Sequence, residues 1–437
     1  MTANEFITTA RQLISDQPET RLSAKAKQAI TDKDCIIDIH THIFDRRCLS
    51  TGYVLLRMLK SKLKDLLGLE SFQVDSLLVK TEEEIYEEIK ANDLNSEEDW
   101  EKLESDLETV AELTSQIEFL GLDIREALRV LKKGSMREVL DHYVDNFSVV
   151  QLPSYKNRPF LTGVLMMDLA TGWDMTPRKC LSAQIDEIKD IMVDRPILPF
   201  LAIDPRRVSL DDKEENIYDL FIKAFDDRQT PFFGVKCYPS MGYLPTDVRL
   251  DPIFKICAEK NIPVVSHCGG ESVSTFEKSI VVEDQSGVHN FLIPGNSRPE
   301  RARYLNNPEA WIPVLEKYPK IKLNLAHFGG DDFWLNHSKT NLGDVRVKNI
   351  IAMLKNPNWN VYTDFSFNLV ESELFETFKK ELDANAEIQS KVMFGTDYWV
   401  VLPAGDLLNT QGEFLDQLTD NRDRMVNTTP LDFILKI

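Results

Sequence analysis

The chain has 437 residues, 43% apolar and 28% charged, and its 71 acidic against 51 basic side chains leave a net charge of −20. This length accommodates one large α/β domain or two to three ordinary ones, and the composition is that of a globular protein in water. The acidity argues against a nucleic-acid partner, no run of eighteen apolar residues is present to span a membrane, and the polar opening MTANEFITTARQLISDQPET lacks the apolar core of a signal peptide.

The first predicted strand, CIIDIHTH at 35–42, ends in two histidines. Side chains two apart on a strand point the same way, about 6–7 Å from each other, so His40 and His42 can converge on one ion. In that register Asp38 joins them on the inner side, and Ile37, Ile39 and Ile43 face surrounding helices. A lone inward histidine is more often a core residue than a ligand, and an HxH pair by itself is only suggestive.

Residues 46–158 contain no convincing strand and read as helices. Trp100, Leu103, Leu107, Val110, Leu113, Ile117 and Leu120 recur at spacings of three and four, an apolar helix face, and the acidic run TEEEIYEEIKANDLNSEEDWEKLESDLE reads as its solvated face. A small packed subdomain is the plain reading; a partner-binding coiled coil is the alternative, although the pattern lasts barely three heptads.

From 159 onward short β-rich runs alternate with amphipathic stretches: 160–170, 197–207, 232–243, 262–270, 321–330, 361–368 and 391–400. With the first strand they make eight, and the crossovers between them predict an α/β fold of the (β/α)8 TIM-barrel type. The expected organisation is a barrel from 1–45 and 159–437 interrupted by a helical insertion at 46–158. That insertion leaves the carboxyl end of strand one, where barrel enzymes keep their active sites, so a lid is expected of it. A second insertion, roughly 271–303, follows strand five and carries Arg298, Arg301 and Arg303.

Strand five ends in His267, strand six in His327 and strand eight in Asp397. With His40 and His42, four of the seven histidines sit at carboxyl ends of strands, a clustering that core packing alone would not produce. His142, His289 and His337 fall in the insertions and a loop, where surface or structural roles are expected.

The segments DIHTH, GVKCYP, NPEAWIPVLEKYP, LNLAHFGG and VMFGTDYW resemble the amidohydrolase superfamily, in its amidohydrolase-related branch that includes aminocarboxymuconate semialdehyde decarboxylase and many metal-dependent hydrolases. The likeness covers strand one and residues 159 to about 405. It implies that His40, His42, His267 and Asp397 ligate a divalent metal, most naturally one Zn2+, with Mn2+, Fe2+ or Co2+ suited to the same donors. It implies that His327 stands beside an activated water and that Asp397 both ligates and moves a proton. Lys236, on the fourth strand, is open to three readings: a carboxylated bridge to a second metal, a substrate contact, or a plain structural lysine.

Weaker candidates are Arg206 and Arg207, which can hold an anion or pair with surface carboxylates, Tyr238 and Tyr243, as pocket wall or packing, and Trp399 and Asp364. A metal-dependent hydrolase of a small amide, lactone or ester is the expected function. Nonoxidative decarboxylation of an unsaturated or aromatic acid is the rival, a sugar-acid isomerase is more distant, and a non-catalytic scaffold is the reading from another class. A small-molecule substrate, anionic among the options, is the expected partner, and a homo-oligomer is compatible with the sequence. Six cysteines without CxxC spacing fit a cytoplasmic protein.

Overall fold

The computed structural model describes residues 1–31, 34–48, 124–173, 177–210, 212, 215–226, 228–270, 273–340 and 343–436. Eight parallel strands follow one another around a TIM barrel: β1 (Ile36–Thr41), β2 (Phe160–Leu165), β3 (Ile197–Ile203), β4 (Gly234–Cys237), β5 (Val264–Ser266), β6 (Lys322–Leu325), β7 (Asn360–Asp364) and β8 (Val392–Met393). Each pairs with its successor in sequence. Closure from β8 to β1 runs through the residues just past β8: Ile39 N–H donates to the Phe394 carbonyl at 3.1 Å, Asp397 N–H to that of His40 at 2.8 Å, and His42 N–H to that of Tyr398 at 2.5 Å.

Alternation along the strands sorts the apolar residues into two layers. Leu201, Val235, Val264, Leu323, Val361 and Val392 pack outward against helices such as Leu181–Met192, Ile217–Phe225 and Val345–Lys355. Leu198, Phe200, Val265, Tyr362 and Met393 point inward and meet Ala26, Phe433 and Ile434, from the helices Ala24–Thr31 and Thr429–Leu435, in a separate cluster. The helices begin where short polar side chains cap them: Asn216 accepts from Tyr218 N–H at 3.0 Å, and Asp344 from Arg346 N–H at 2.8 Å.

One expectation fails in β1. Ile37 and Ile39 belong to the inner cluster, while Asp38 is bonded by Tyr143 of the helix Met136–Asn146, so the strict alternation that put Asp38 inside with the histidines does not hold. The register against β2 slips between Asp38, opposite Thr162, and Thr41, opposite Val164. This bulge inserts one extra residue and resets which side chains point inward. His40 and His42 reach the interior because of the bulge, not because of simple period-two spacing from Ile37.

Most of the 46–158 insertion, including the Trp100–Leu120 helix, the acidic run and the lid expected of them, lies outside the described residues. Its last part forms two helices, Ile124–Leu131 and Met136–Asn146, the second capped by Ser135, which accepts from Glu138 N–H at 3.2 Å. The second insertion holds an antiparallel hairpin, Ser279–Asp284 with Gly287–Leu292, and the helix Arg298–Leu305. His337, expected in a loop, lies in the helix Asp331–Lys339, where it is buried against Glu381 at 3.0 Å. All six cysteines are free, and among the described residues no helix is long and apolar enough to cross a membrane.

Candidate metal centre

The carboxyl ends of β1 and β8 lie against each other, and Gly395 makes this possible: a Cβ there would sit 2.8 Å from the Cβ of His40. The approach brings His40 Nε2 within 3.2 Å and His42 Nε2 within 3.1 Å of the same atom, Asp397 Oδ1. All three side chains are buried, and their ligand atoms lie within 4.8 Å of one another.

The hydrogen bonds fix the tautomers. His42 Nδ1 stands 2.8 Å from the Leu165 carbonyl, which can only accept, so Nδ1 carries the proton and Nε2 presents a lone pair. Burial lowers the pKa of His42 and outweighs the attraction of Asp397. The result is a neutral imidazole whose lone pair faces a carboxylate. Burial acts to raise the Asp397 pKa, but the imidazoles around it, His327 and His40 foremost, hold it well below the usual carboxylate range. Two acceptors in contact repel unless a cation lies between them. His40 differs: burial and Lys236 push its pKa down, but Asp364 and Asp397 outweigh them and raise it. Its Nε2 nonetheless makes no hydrogen bond. Buried, unbonded imidazole nitrogens around a carboxylate are a donor set for a divalent cation.

A second carboxylate organises this set from behind. Asp364, at the end of β7, contacts His40 Nδ1 at 3.2 Å and accepts from Asn324 Nδ2 at 2.7 Å, His327 N–H at 3.1 Å, Ser366 N–H at 3.2 Å and the Ser366 hydroxyl. Burial disfavours its charge, but His40 and these hydrogen bonds leave it well below the usual range. His40, His327 and Asp364 form a second close group of possible ligand atoms. Asp364 was only a weak candidate from sequence and Ser366 was not one at all. The available signal was position, since TDFS closes its strand at the same end as the histidines do theirs.

His327 and Asp397 share an unusual backbone, with φ of 63° and 60°. Left-handed non-glycine residues cost roughly 1–2 kcal/mol each. At His327 the turn is held by Asp364 on its N–H and by Asn368 Nδ2 and Gly330 N–H on its carbonyl, at 2.7 and 2.8 Å. The ring is held too, with Nδ1 2.8 Å from Ser366 Oγ and Nε2 3.0 Å from His267 Nδ1. Because the Ser366 hydroxyl donates to Asp364, it accepts from His327 Nδ1, and His327 Nε2 in turn accepts from His267. Burial takes the His327 pKa down to about 3. His267 stacks on Tyr238 with centroids 4.1 Å apart and leaves its own Nε2 buried without a hydrogen bond. Its ligand atoms belong to neither close group.

Lys236 points inward from β4, wholly buried, its Nζ without a hydrogen bond and 5.7 Å from the Tyr238 ring centre. Burial brings its pKa to about 8, against the pull of Asp397 and Asp364. It lines a small cavity of about 10 Å³ with Met166, Met167, Tyr238 and Met241. The arginines after β3 are engaged elsewhere: Arg206 with Asp204 at 2.5 Å and the Met241 carbonyl at 2.9 Å, Arg207 with Asp168 and Glu215. Tyr243 donates to the Ile203 carbonyl, and Trp399 Nε1 to that of Phe44, so both serve packing. His142 meets the Tyr398 hydroxyl at 3.0 Å, and His289 is exposed on the hairpin.

A family profile described as Amidohydrolase matches residues 194–432. No curated protein matches the chain. Solved structures that resemble it include an uncharacterized TIM-barrel protein from Bordetella bronchiseptica, 13% identical over 92% of this chain and 98% of that one with a TM-score of 0.46. Another is 5-carboxyvanillate decarboxylase from Novosphingobium aromaticivorans, complexed with manganese and 4-hydroxy-3-methoxy-5-nitrobenzoic acid, 13% identical over 69% and 88% of the chains with a TM-score of 0.38. A third is 4-oxalomesaconate hydratase from Rhodopseudomonas palustris, 11% identical over 91% and 95% with a TM-score of 0.38. The profile match spans more than half of the sequence and takes in β3 to β8 with His267, His327 and Asp397, and by it the chain belongs to the amidohydrolase family.

Proposed function

We propose that this protein is a metal-dependent hydrolase of a small amide, lactone or ester. The carrying observation is the neutral His42 imidazole held with its lone pair on the Asp397 carboxylate. In this reading His40, His42 and Asp397 hold one divalent ion, foremost Zn2+, and His267 completes the set with its unbonded Nε2. When bound, such an ion polarises a carbonyl and lowers the pKa of a coordinated water toward about 7.

The remaining roles belong to the chain. Asp397, kept ionised by its neighbours, takes a proton from the nucleophile and returns it to the leaving group. His327 is neutral at pH 7 with its Nδ1 proton committed to Ser366 and its Nε2 accepting from His267, so it orients the His267 ring and does not itself protonate. Lys236, an unbonded cation with a pKa of about 8, holds an anionic or carbonyl oxygen of the substrate, with Tyr238 and the methionines as its apolar wall. This favours an anionic substrate. Arg206 commits its Nε and Nη2 to Asp204 and the Met241 carbonyl and is the weaker candidate for holding such a substrate.

The same lysine suits a carboxylate that departs as CO2, which makes nonoxidative decarboxylation of an unsaturated or aromatic acid the second reading. Turnover in 18O-labelled water separates the two. Hydrolysis places one 18O atom in the carboxylate product, whereas CO2 release without label in the organic product would establish decarboxylation and reject hydrolysis.

A further inference from the structure

The described end of the first insertion reaches into the barrel wall directly behind the proposed ligands. Asp38, two residues before His40, is completely buried and bonds to both strands that carry them. Its Oδ1 accepts from His40 N–H at 2.9 Å and from Thr396 N–H at 3.2 Å, and its Oδ2 accepts from Thr396 Oγ1 at 2.6 Å. The remaining bond comes from the hydroxyl of Tyr143, on the helix Met136–Asn146. One carboxylate therefore ties the residue range of the HxH pair to the residue before Asp397.

The helix grips the other side of Asp397 as well. The Tyr143 ring stacks on Tyr398 with centroids 4.6 Å apart, and His142 Nδ1 meets the Tyr398 hydroxyl at 3.0 Å. Both chain neighbours of Asp397 are thus in contact with one helix of the insertion. That matters because Asp397 sits at φ 60°, a conformation that persists only where its surroundings over-determine it.

We infer that Tyr143 is a positioning residue: it holds Asp38 as a clamp between β1 and β8, and through that clamp sets the separation of His40, His42 and Asp397 on which metal affinity depends. The described end of the insertion is by this account a structural support of the metal centre. Partners behind the ligands usually matter by 10–100-fold in affinity, and the loss of one hydroxyl belongs at the lower end of that range.

The inference rests on the metal reading of the site, and the test separates the two. Zn2+ affinity is measured by competition with a chromophoric chelator on the full-length chain, for wild type, Tyr143→Phe and Tyr218→Phe. The last removes a comparable buried hydroxyl, bonded at 2.9 Å to the Arg249 carbonyl in another part of the fold. Tyr143→Phe should bind Zn2+ about tenfold more weakly and shift the visible absorption bands of the Co2+-loaded protein, while Tyr218→Phe leaves both unchanged. Should Tyr143→Phe fail to fold, Thr396→Ser and Thr396→Val decide: the serine should keep wild-type affinity and the valine should lose about tenfold. Equal affinity and identical Co2+ spectra in wild type and Tyr143→Phe, or in the two Thr396 variants, overturn the clamp alone. Wild-type protein that takes up no Zn2+ overturns the metal reading and the clamp with it.

Discussion

His42 Nε2 and Asp397 Oδ1 are 3.1 Å apart, and the Leu165 carbonyl on the other side of the ring removes any proton that would join them. The same Asp397 oxygen lies 3.2 Å from His40 Nε2. Of the two imidazoles, His40 is the one whose pKa is raised by its carboxylate neighbours, so it is the one that holds a proton near the ordinary histidine value. A cation entering between them must displace that proton.

Proton release on metal binding follows. At a pH near the ordinary histidine value, titration of the metal-free protein with Zn2+ in buffers of different ionisation enthalpy should report release of about one proton per ion. Affinity should fall as pH is lowered, because protonated His40 competes with the metal. Binding without proton release would place the ion elsewhere.

Asp364→Asn should damage the centre without touching a metal ligand. The carboxylate holds His40 Nδ1, the His327 N–H and the Ser366 hydroxyl, and an amide cannot accept from all of them. A loss of 10–100-fold in kcat/KM or metal affinity is expected. Wild-type values would make Asp364 a packing residue only.

His327→Ala should lower kcat by about 10–100-fold, as for a residue that orients its neighbours, while the protein retains nearly its full metal content by elemental analysis. Loss of the metal together with activity would make His327 a ligand, which its nearness to His40 and Asp364 allows.

Lys236→Met keeps the apolar wall and removes the cation. It should raise KM for an anionic substrate about 10–100-fold, equivalent to roughly 1.5–3 kcal/mol for a hydrogen bond to a charged group, and leave metal stoichiometry at one. A fall from two equivalents of metal to one would instead identify Lys236 as a carboxylated bridge.

At the opposite end of the barrel Lys322 is buried with its Nζ bonded to the Phe433 carbonyl at 3.0 Å. Burial, with Arg21 nearby, lowers its pKa from 10.5 to about 7. The unfolded chain keeps this lysine protonated up to its ordinary value, so the cost of burying the charge is complete below pH ~7 and fades as pH rises toward ~10. Lys322→Met should therefore stabilise the fold by about 1–3 kcal/mol near pH 7 and by less near pH 10. A larger gain at the higher pH would contradict the assignment.

Strand count, strand order and the ends bearing His40, His42, His267, His327 and Asp397 were legible because parallel barrel strands are continuous apolar runs, and polar residues that interrupt them at one end stand out. The side-chain directions of β1 were not legible. A bulge is set by how β1 meets β2, and period-two reasoning on CIIDIHTH cannot see the partner strand. Asp364 and Ser366 do not stand out in the sequence because an acid and a hydroxyl after a strand are ordinary loop residues until other groups converge on them. The Tyr143 to Asp38 bond joins residues far apart in the chain, and helical periodicity identifies Tyr143 only as one more apolar position. Arg206 in IDPRR reads equally as an anion holder or a partner of surface carboxylates, and in the fold it pairs with the buried Asp204, two residues before it.

The central claim is that His40, His42 and Asp397 bind a catalytic metal, and elemental analysis of the purified chain after equilibration with Zn2+ and removal of excess tests it most directly. Wild type should retain close to one equivalent per chain, and His42→Ala and Asp397→Ala, folded by circular dichroism, should retain almost none. A folded wild-type protein without metal, or variants that keep the full equivalent, would contradict it.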